Sequence, residues 1–422
     1  MAFQQGLSGL NAASKGLDVI GNNVANASTV GFKTGSAHFG DVYATSLSAT
    51  GGGGGGSQVG IGTSVLAIQQ QFTQGNTTST NNPLDIAING GGFFKLISDN
   101  GVSYTRNGQF HTDKAGYIVN DLDYKLMGYE VDASGNVLSG NPKPIHLSEG
   151  NVPPLPTGKD ATSKAVLNLD SRLSPPTISP FNAADSSSYN YSTPMTVYDS
   201  LGNEHVVNFY FVKTATAANQ PSVWDMHATF DGANPQTITP ALTFDTNGML
   251  TSGMPVNLPQ TWAIANGAVS PIGTGLSNWS IDFTGTTHFG GANSVNSMLG
   301  GGYGQGALTS ISVSPDGVIR GNYSNGQSRN LAQVVLTTFA NPNGLINLGN
   351  NQYQGTSASG DALDGVPQSG TRGVLKSLSV EEANVDLTAE LVNMITMQRN
   401  YQANAQTIKT QDQIMQTLVN LR

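Results

Sequence analysis

Histidine, cysteine and carboxylate side chains carry most of the metal and acid–base chemistry of proteins. This sequence contains no cysteine, which excludes disulfides, thiolate metal sites and cysteine nucleophiles together. Its six histidines are scattered, and none is paired with a glutamate at i, i+4 spacing: His38, His111, His146, His205, His227 and His288. A zinc site is therefore disfavoured.

Other catalytic and ligand-binding patterns are incomplete. The chain has no Gly-x-Ser-x-Gly nucleophile elbow. Asp121 and Asp123 are spaced like the start of a calcium loop, but the third oxygen ligand, the glycine and the final glutamate are missing. Gly51–Gly56 is an unbroken glycine run, but Ser57 and Gln58 follow it instead of Gly-Lys-Ser/Thr, which favours a flexible linker over a phosphate cradle. The sequence thus predicts no catalytic residue, no metal site, no cofactor and no enzymatic activity.

The charge balance argues against nucleic acid as a partner, because 18 Lys and Arg face 27 Asp and Glu for a net charge of −9. The N-terminus lacks the basic and apolar regions of a cleaved secretory signal. No stretch approaches the ~18 uninterrupted apolar residues of a spanning helix, so membrane insertion is not expected. The body is nevertheless poor in charge and rich in Ser, Thr, Asn and Gly, which is typical of an extracellular protein.

The elements that could position functional residues are clearest at the two ends, where apolar residues recur with helical spacing. Near the start they form one narrow seam: Phe3, Leu7, Leu10, Leu17 and Val24. Near the end a second seam runs over more than four heptads with polar interruptions: Leu387, Leu391, Met394, Tyr401, Ile408, Met415 and Val419. Ser379–Glu382 has the spacing of a capping box, so that segment or the following Asn384 or Asp386 begins the second helix.

Two amphipathic helices need partners, because an isolated one is marginal in water. They could pair as an antiparallel hairpin within one subunit, or form a coiled coil whose remaining faces pack against other subunits. The second helix carries many amides and few charges on its surface: Gln398, Asn400, Gln402, Asn404, Gln406, Gln411, Gln413 and Gln416. An ordinary solvated helix carries Glu/Lys pairs there, so the second interpretation is favoured.

Between the ends, turn signals repeat with Asp or Ser at the first position and Gly at the fourth. They fall at Ser98–Gly101, Asp113–Gly116, Asp132–Gly135, Asp199–Gly202, Asp245–Gly248 and Ser314–Gly317. This is type I turn chemistry, and alternating runs such as Val206–Val212 flank several of the turns. The middle is therefore predicted to be antiparallel β, in two domains.

The segment Gly21–Lys33, which reads Gly-Asn-Asn-Val-Ala-Asn-Ala-Ser-Thr-Val-Gly-Phe-Lys, closely resembles the signature of bacterial flagellar rod and hook proteins. The far end fits the same family independently at Ala383–Leu387, Glu390–Ile395 and Gln398–Gln402. In the middle, Asn322–Gln327 and Phe339–Leu345 look like the inner β domain of that family.

The length of the chain and an insert in its β domain distinguish hook members from rod members of that family. Residues 146–290 interrupt the β domain, which resembles hook members; rod members are shorter. The resemblance implies an α+β fold, with a terminal α-helical coiled coil plus two mainly antiparallel β domains inserted one within another. Its expected parts are the helical core (1–27 and 379–422), an extended connecting region (28–82 and 363–378), an inner β domain (83–145 and 291–362) and an outer β domain (146–290).

The implied function is structural: a subunit of the flagellar hook that self-assembles into a curved, flexible tube, couples rod to filament as a universal joint, and carries the export channel. A distal rod subunit is one alternative. From another class, an extracellular β-rich adhesin or glycan hydrolase is a second alternative, although neither would need amphipathic helices at both termini.

The resemblance also implies residue roles and partners. Its signature residues are Asn22, Asn23, Asn26, Thr29, Gly31, Phe32 and Lys33, of which Gly31 permits a turn and the asparagines satisfy backbone groups at the helix exit. Phe3 and Leu7 resemble the Phe-x-x-x-hydrophobic element of substrates of the flagellar type III export apparatus. Expected partners are further copies of the chain, rod, hook-cap and hook–filament junction proteins, and that apparatus. The expected location is the extracellular hook of the flagellum, reached without a cleaved signal peptide.

Overall fold

One long helix forms at each end of the chain. The computed structural model describes residues 2–43, 60–132, 135–138, 140–147, 150–158, 163–215, 220–258 and 279–420, and the glycine run lies outside them. Helix α1 spans Ala2–Ala25 and helix α2 spans Leu387–Asn420. The Asp386 carboxylate accepts hydrogen bonds from the backbone N–H groups of Thr388 and Ala389 at 2.9 and 3.2 Å, so Asp386 caps α2.

Strands begin directly after α1. β1 (Gly35–Tyr43) and β2 (Gly60–Gln70) pair as an antiparallel hairpin. The strands that follow are β3 (Thr77–Ser79), β4 (Ile86–Asn89), β5 (Phe93–Ser98), β6 (Gly101–Thr105), β7 (His111–Thr112), β8 (Ile118–Val119), β9 (Lys125–Glu130) and β10 (Lys143–Pro144). Within its described residues, the region 28–82, predicted to be an extended connection, thus contains three strands.

The insert makes up most of one compact unit, unit 2, which comprises Gly150–Thr309 and Tyr323–Gln327. Its strands are β11 (Ser163–Asn168), β12 (Tyr191–Tyr198), β13 (Glu204–Lys213), β14 (Ser222–Phe230), β15 (Ala233–Phe244), β16 (Val256–Asn257), β17 (Ser280–Asp282) and β18 (Ser294–Leu299). They form two four-stranded sheets, β16-β17-β11-β18 and β12-β13-β14-β15. One apolar core takes side chains from both sheets, among them Leu167, Phe209 and Trp224.

The other compact unit, unit 1, comprises Met1–Glu149, Ser310–Asn322 and Ser328–Arg422. The remaining strands are β19 (Leu308–Val313), β20 (Val318–Tyr323), β21 (Ser328–Val334), β22 (Leu336–Thr338), β23 (Ile346–Gly349), β24 (Gln352–Gln354), β25 (Leu363–Gly365), β26 (Val374–Ser377) and β27 (Ser379–Glu381). The main sheet has the order β19-β20-β21-β9-β5-β6-β24-β23, while β26 pairs with β4 and β27 with β3. Of the three helix starts that the sequence offers, the capping box at Ser379–Glu382 is wrong, because Ser379–Glu381 is a strand. The start at Asp386 is confirmed, since α2 begins at the next residue.

The predicted turns whose residues the structure describes form as their sequences require. At Asp113–Gly116, the Gly116 N–H donates to the Asp113 carbonyl at 3.1 Å and the Tyr117 N–H donates to the Asp113 carboxylate at 2.7 Å. Gly116 has φ +82°, which a side chain would resist. The helices at both ends and the mostly antiparallel sheets between them confirm the α+β fold class.

Candidate functional site at the base of the terminal helices

The two terminal helices contact each other through small residues of α1. The α1 positions turned towards α2 include Gly6, Gly9 and Gly16, which follow a three–four spacing with buried Ala13 between them. A Cβ at Gly9 would lie 2.8 Å from the Asn404 side-chain amide, so a larger residue here would require that side chain to move.

The predicted α1 seam lies on a neighbouring face. Phe3 and Leu7 are 49% and 43% exposed, while Leu10, Leu17 and Val24 are half-buried. Small residues of α1 thus lie against α2, which lets the two backbones approach closely, while the predicted seam residues stay at least partly exposed. The spacing of Gly6, Gly9, Ala13 and Gly16 was the signal in the sequence that could have shown this.

The α2 seam divides in a similar way. Met394 and Ile408 are half-buried, and Ile408 lies against Gly6 of α1. The other predicted members remain exposed: Leu387 at 46%, Leu391 at 49%, Tyr401 at 38%, Met415 at 55% and Val419 at 71%. Both helices therefore keep apolar side chains that nothing in the described part of the chain covers.

The signature residues lie together where α1 ends. The Asn26 amide donates to the Asn22 carbonyl at 2.9 Å, and the Thr29 hydroxyl donates to the Asn26 side chain at 3.2 Å. The Asn23 side chain, 1% exposed, acts like a strand partner of Gly35, donating to its carbonyl and accepting from its N–H, both at 2.9 Å. These asparagines satisfy the backbone at the helix exit and attach α1 to β1.

Gly31 makes the turn between the helix and the β structure. Its φ is +73°, and a Cβ there would lie 2.6 Å from the backbone nitrogen of Asn107. Its N–H donates to the carbonyl of Glu381 at 2.8 Å, and the next residue, Phe32, is buried. Only a glycine fits this close approach of two backbone segments.

Lys33 enters a fully buried ion cluster. Its ammonium donates to the Glu381 carboxylate and to the Thr73 carbonyl, each at 2.7 Å, and both charged side chains are 0% exposed. The Arg106 guanidinium lies 3.3 Å from the other Glu381 oxygen and donates to the Gly90 carbonyl at 2.8 Å. Two cations thus share one carboxylate, which also accepts the Gly75 N–H at 2.9 Å.

The electrostatics of this cluster follow from its burial. Desolvation lowers the pKa of Lys33, against the opposing attraction of Glu381. Burial also lowers the pKa of Arg106, whose guanidinium lies 5.4 Å from the Phe93 ring centre. Breaking such a cluster leaves an uncompensated buried charge, which is strongly unfavourable.

We call Gly31, Phe32, Lys33, Arg106 and Glu381 the helix-base joint. It connects the segment after α1, the inner β sheet and the strand that leads into α2. A second contact supports it, since the Asn384 side chain accepts the Thr34 N–H at 2.8 Å and donates to the Gln71 carbonyl at 2.8 Å. Sequence reasoning found the first three joint residues but not Arg106 or Glu381.

The described residues offer no alternative site of metal chemistry. They contain no group of three or more His, Cys, Asp or Glu side chains that could hold a metal ion. Within the same residues, neither helix has the length and apolar character needed to cross a membrane.

This chain is similar to family models and to known proteins. Four models match: "Flagella basal body rod protein" at residues 3–33, "Flagellar hook protein FlgE/F/G D1 domain" at 87–163, "Flagellar basal body protein FlaE D2 domain" at 168–303, and "Flagellar basal body rod FlgEFG protein C-terminal" at 376–421. The chain is 44% identical over 426 residues to the flagellar hook protein FlgE of Salmonella typhimurium, covering 100% of both chains. The chain belongs to the flagellar hook protein family.

Two further hook proteins are similar to this chain over its full length. The hook protein FlgE of Escherichia coli is 42% identical over 428 residues, with 100% of both chains covered. That of Borreliella burgdorferi is 33% identical over 447 residues, covering 100% of this chain and 99% of the relative. The crystal structure of Helicobacter pylori FlgE2 aligns with a TM-score of 0.49 at 12% identity, over 71% of this chain and 99% of that one. The hook interpretation of the sequence is confirmed by the full-length relatives, and this hook-family chain is a structural, self-polymerising component of the flagellar hook.

Proposed function

We propose that this hook-family chain assembles into a flexible, curved tube that couples the rod to the filament as a universal joint and carries the export channel. The observation that carries the proposal is the apolar surface left on the terminal helices. It comprises Phe3, Leu7, Leu387, Leu391, Val392, Ile395, Ile414, Met415 and Val419, each at least 43% exposed. Exposed apolar surface of this extent marks an interaction site, and full-length similarity to hook proteins makes further copies the partner.

The faces of α2 support this arrangement. At about 100° per residue, Ile408 and Met415 lie on the side turned towards α1. Gln402, Gln406 and Gln413 are all exposed and lie on the far side, within an arc of about 80° that also contains Gln416 and Lys409. We propose that this amide face lines the channel, because amides exchange hydrogen bonds with water and hold passing unfolded chains weakly.

The parts of the chain then have distinct roles. We assign the tube wall to residues 1–27 and 379–422, which contain α1 and α2. We assign the attachment to the connecting residues 28–82 and 363–378, and the outer layers to the β domains at 83–145 with 291–362 and at 146–290. The helix-base joint fixes the direction of the helices relative to the inner β sheet. No enzymatic activity belongs to this function, and its support is the structural character of the family.

Export completes the proposal. We assign to Phe3 and Leu7 recognition by the flagellar type III apparatus without a cleaved signal, and to the assembled tube contacts with rod, hook-cap and junction proteins. Both side chains are about half exposed on α1 and are therefore accessible to a receptor. Phe3→Ala is expected to keep the protein in the cytoplasm; secretion of unpolymerised protein would instead assign Phe3 to packing between copies.

Electron microscopy of the purified chain tests the assembly. We expect curved tubes from the unaltered chain and none from Leu391→Asp, because a subunit contact cannot bury an unpaired carboxylate. Leu122→Asp is the matched control: Leu122 is 39% exposed in a turn of unit 1 and belongs to neither helix. Straight rods, no polymer, or equal assembly of both variants would contradict the proposal.

A further inference from the structure

The charged side chains of α2 are separated onto different sides of the helix. At about 100° per residue, Arg399 and Lys409 each lie about 40° from Gln413, which is at the centre of the amide face, one on either side of it. Both cations are exposed. The two acidic side chains of α2 lie farther round the helix, Asp412 at about 100° and Glu390 at about 140° from that centre. The amide face is therefore electropositive.

The other side chains of this face are uncharged. Between residues 398 and 417, every side chain within about 60° of the centre carries an amide, a hydroxyl or one of the two cations. The Asp412 carboxylate, outside this arc, accepts a hydrogen bond from the Gln416 amide at 3.0 Å. On α1 the charged side chains are Lys15 and Asp18, whose ammonium and carboxylate lie 3.2 Å apart and cancel each other. Each copy thus presents two positive charges on the amide face.

The net charge of the chain is complementary to this face. The sequence has 27 acidic and 18 basic side chains, for a net charge of −9. An unfolded copy that travels along the proposed channel would carry this charge past the amide face of every copy in the wall. A surface of one sign raises the local concentration of a solute of the opposite sign, and so its rate of entry. The charge complementarity therefore indicates an unfolded copy of this same chain as the occupant.

The spacing of the two cations limits how strongly they hold a passing chain. Arg399 and Lys409 are ten residues apart, or about 15 Å along the helix axis. Salt screens charges beyond about 8 Å at physiological ionic strength, so a carboxylate close to one of these cations is screened from the other cation of the same copy. A single exposed ion pair contributes little free energy. The face can therefore attract an acidic chain without retaining it.

We propose that the amide face, through Arg399 and Lys409, attracts an unfolded second copy of this chain into the channel and along it. This inference rests on the proposed lining of the channel and adds the charge of the chain that the channel favours. It also separates two effects of charge on this face. Widely spaced cations speed entry, whereas cations added between them, three or four residues apart, act together on one stretch of chain and slow its passage.

Transit through preformed hooks tests the proposal. Hooks are first built from one form of the chain; a labelled copy of the unaltered chain is then expressed, and its arrival outside the cell is followed with time. We expect hooks of Arg399→Gln with Lys409→Gln to pass the labelled copy about threefold more slowly than unaltered hooks, because a neutral wall no longer concentrates an acidic chain. Each single change should give part of this loss.

Control variants keep other properties constant. Arg399→Lys with Lys409→Arg retains both charges and should pass the labelled copy at the unaltered rate. Lys114→Gln with Arg329→Gln removes two exposed cations that belong to neither helix, and should also leave the rate unchanged. A labelled copy whose added lysine tag makes its net charge positive should pass hooks of Arg399→Gln with Lys409→Gln at least as fast as unaltered hooks, because the wall no longer repels it.

The outcomes are distinct, and electron microscopy of the hooks comes first. If the folded chain with Arg399→Gln and Lys409→Gln builds no hook, the two cations belong to contacts between copies and the proposal is overturned. Equal transit through altered and unaltered hooks would overturn it as well, as would equal slowing of the acidic and the lysine-tagged copies. Should circular dichroism show the double variant unfolded, the single variants carry the test. If the unaltered chain forms no tube, it is the proposed function that fails.

Discussion

Gly31→Ala is the sharpest test of the helix-base joint. An alanine at φ +73° costs about 1–2 kcal/mol from the left-handed backbone alone. Its Cβ would also lie 2.6 and 2.8 Å from the backbone N and Cα of Asn107, and overpacking against backbone costs about 1–3 kcal/mol more. We therefore expect the free energy of unfolding of unit 1 to fall by about 2–5 kcal/mol.

The chain supplies a control and an internal reference. Gly21 lies within α1 with nothing within 4 Å of its Cβ position, so Gly21→Ala should stabilise the helix by up to about 1 kcal/mol. All three tryptophans, Trp224, Trp262 and Trp279, fall within the residues of unit 2. Denaturant unfolding followed by tryptophan fluorescence therefore reports unit 2, while far-UV circular dichroism also reports the helices of unit 1.

We expect Gly31→Ala to move the dichroism transition to lower denaturant and leave the fluorescence transition in place. The variant should also assemble poorly, because the direction of both helices changes with the turn. A Gly31→Ala chain that unfolds within about 0.5 kcal/mol of the unaltered one would refute the reasoning. So would equal shifts from the two glycine variants.

Three further predictions follow from the same unit. Glu381→Gln leaves two buried cations without a counter-charge and should lower the free energy of unfolding by about 3–5 kcal/mol in denaturant titration; a loss below about 1 kcal/mol would contradict this. Burial raises the pKa of Tyr353 to about 12, so the folded chain holds the phenol proton more tightly and loses stability as pH rises from about 10 to 12, by up to about 1.4 kcal/mol per pH unit. Tyr353→Phe should remove that loss in unfolding measured against pH, and an unchanged slope would assign it to other groups. Gln406→Lys with Gln413→Lys should leave hooks intact yet slow filament growth beyond them; failure to build a hook would place these amides in subunit contacts.

Local chemistry made much of the fold predictable. Turns such as Asp113–Gly116 are decided by four neighbouring residues, and α2 begins where Asp386 can cap it. The face of α1 that meets α2 was harder to predict, because hydrophobic spacing gives most weight to large side chains such as Leu10, while small residues such as Gly6 and Gly9 lie against α2.

Only part of the helix-base joint could be predicted from the sequence. Gly31 and Lys33 belong to a contiguous motif, so the resemblance identifies them. Arg106 and Glu381 are recruited from distant points of the chain, and nothing in their neighbours in sequence indicates that they converge on Lys33. Glu381 even lies inside the capping-box spacing of Ser379 and Glu382, which the structure does not use because Ser379–Glu381 forms β27 instead.

Moving the residues of the helix-base joint apart costs much more free energy than sliding the exposed helix faces along a neighbour. This difference indicates where a curved tube can deform. Separating Lys33 or Arg106 from Glu381 would strand charge in a dry environment, at a cost of several kcal/mol for each copy. Apolar side chains such as Leu391 and Val419 can slide along a neighbour at little cost, because burial of apolar surface is non-directional. Because the tube bends again with every rotation of the flagellum, its bending must use the motion of lower free-energy cost, which is this sliding. We therefore expect the geometry of the joint to be the same in every copy around the tube, with the changes of curvature taken up at contacts between copies.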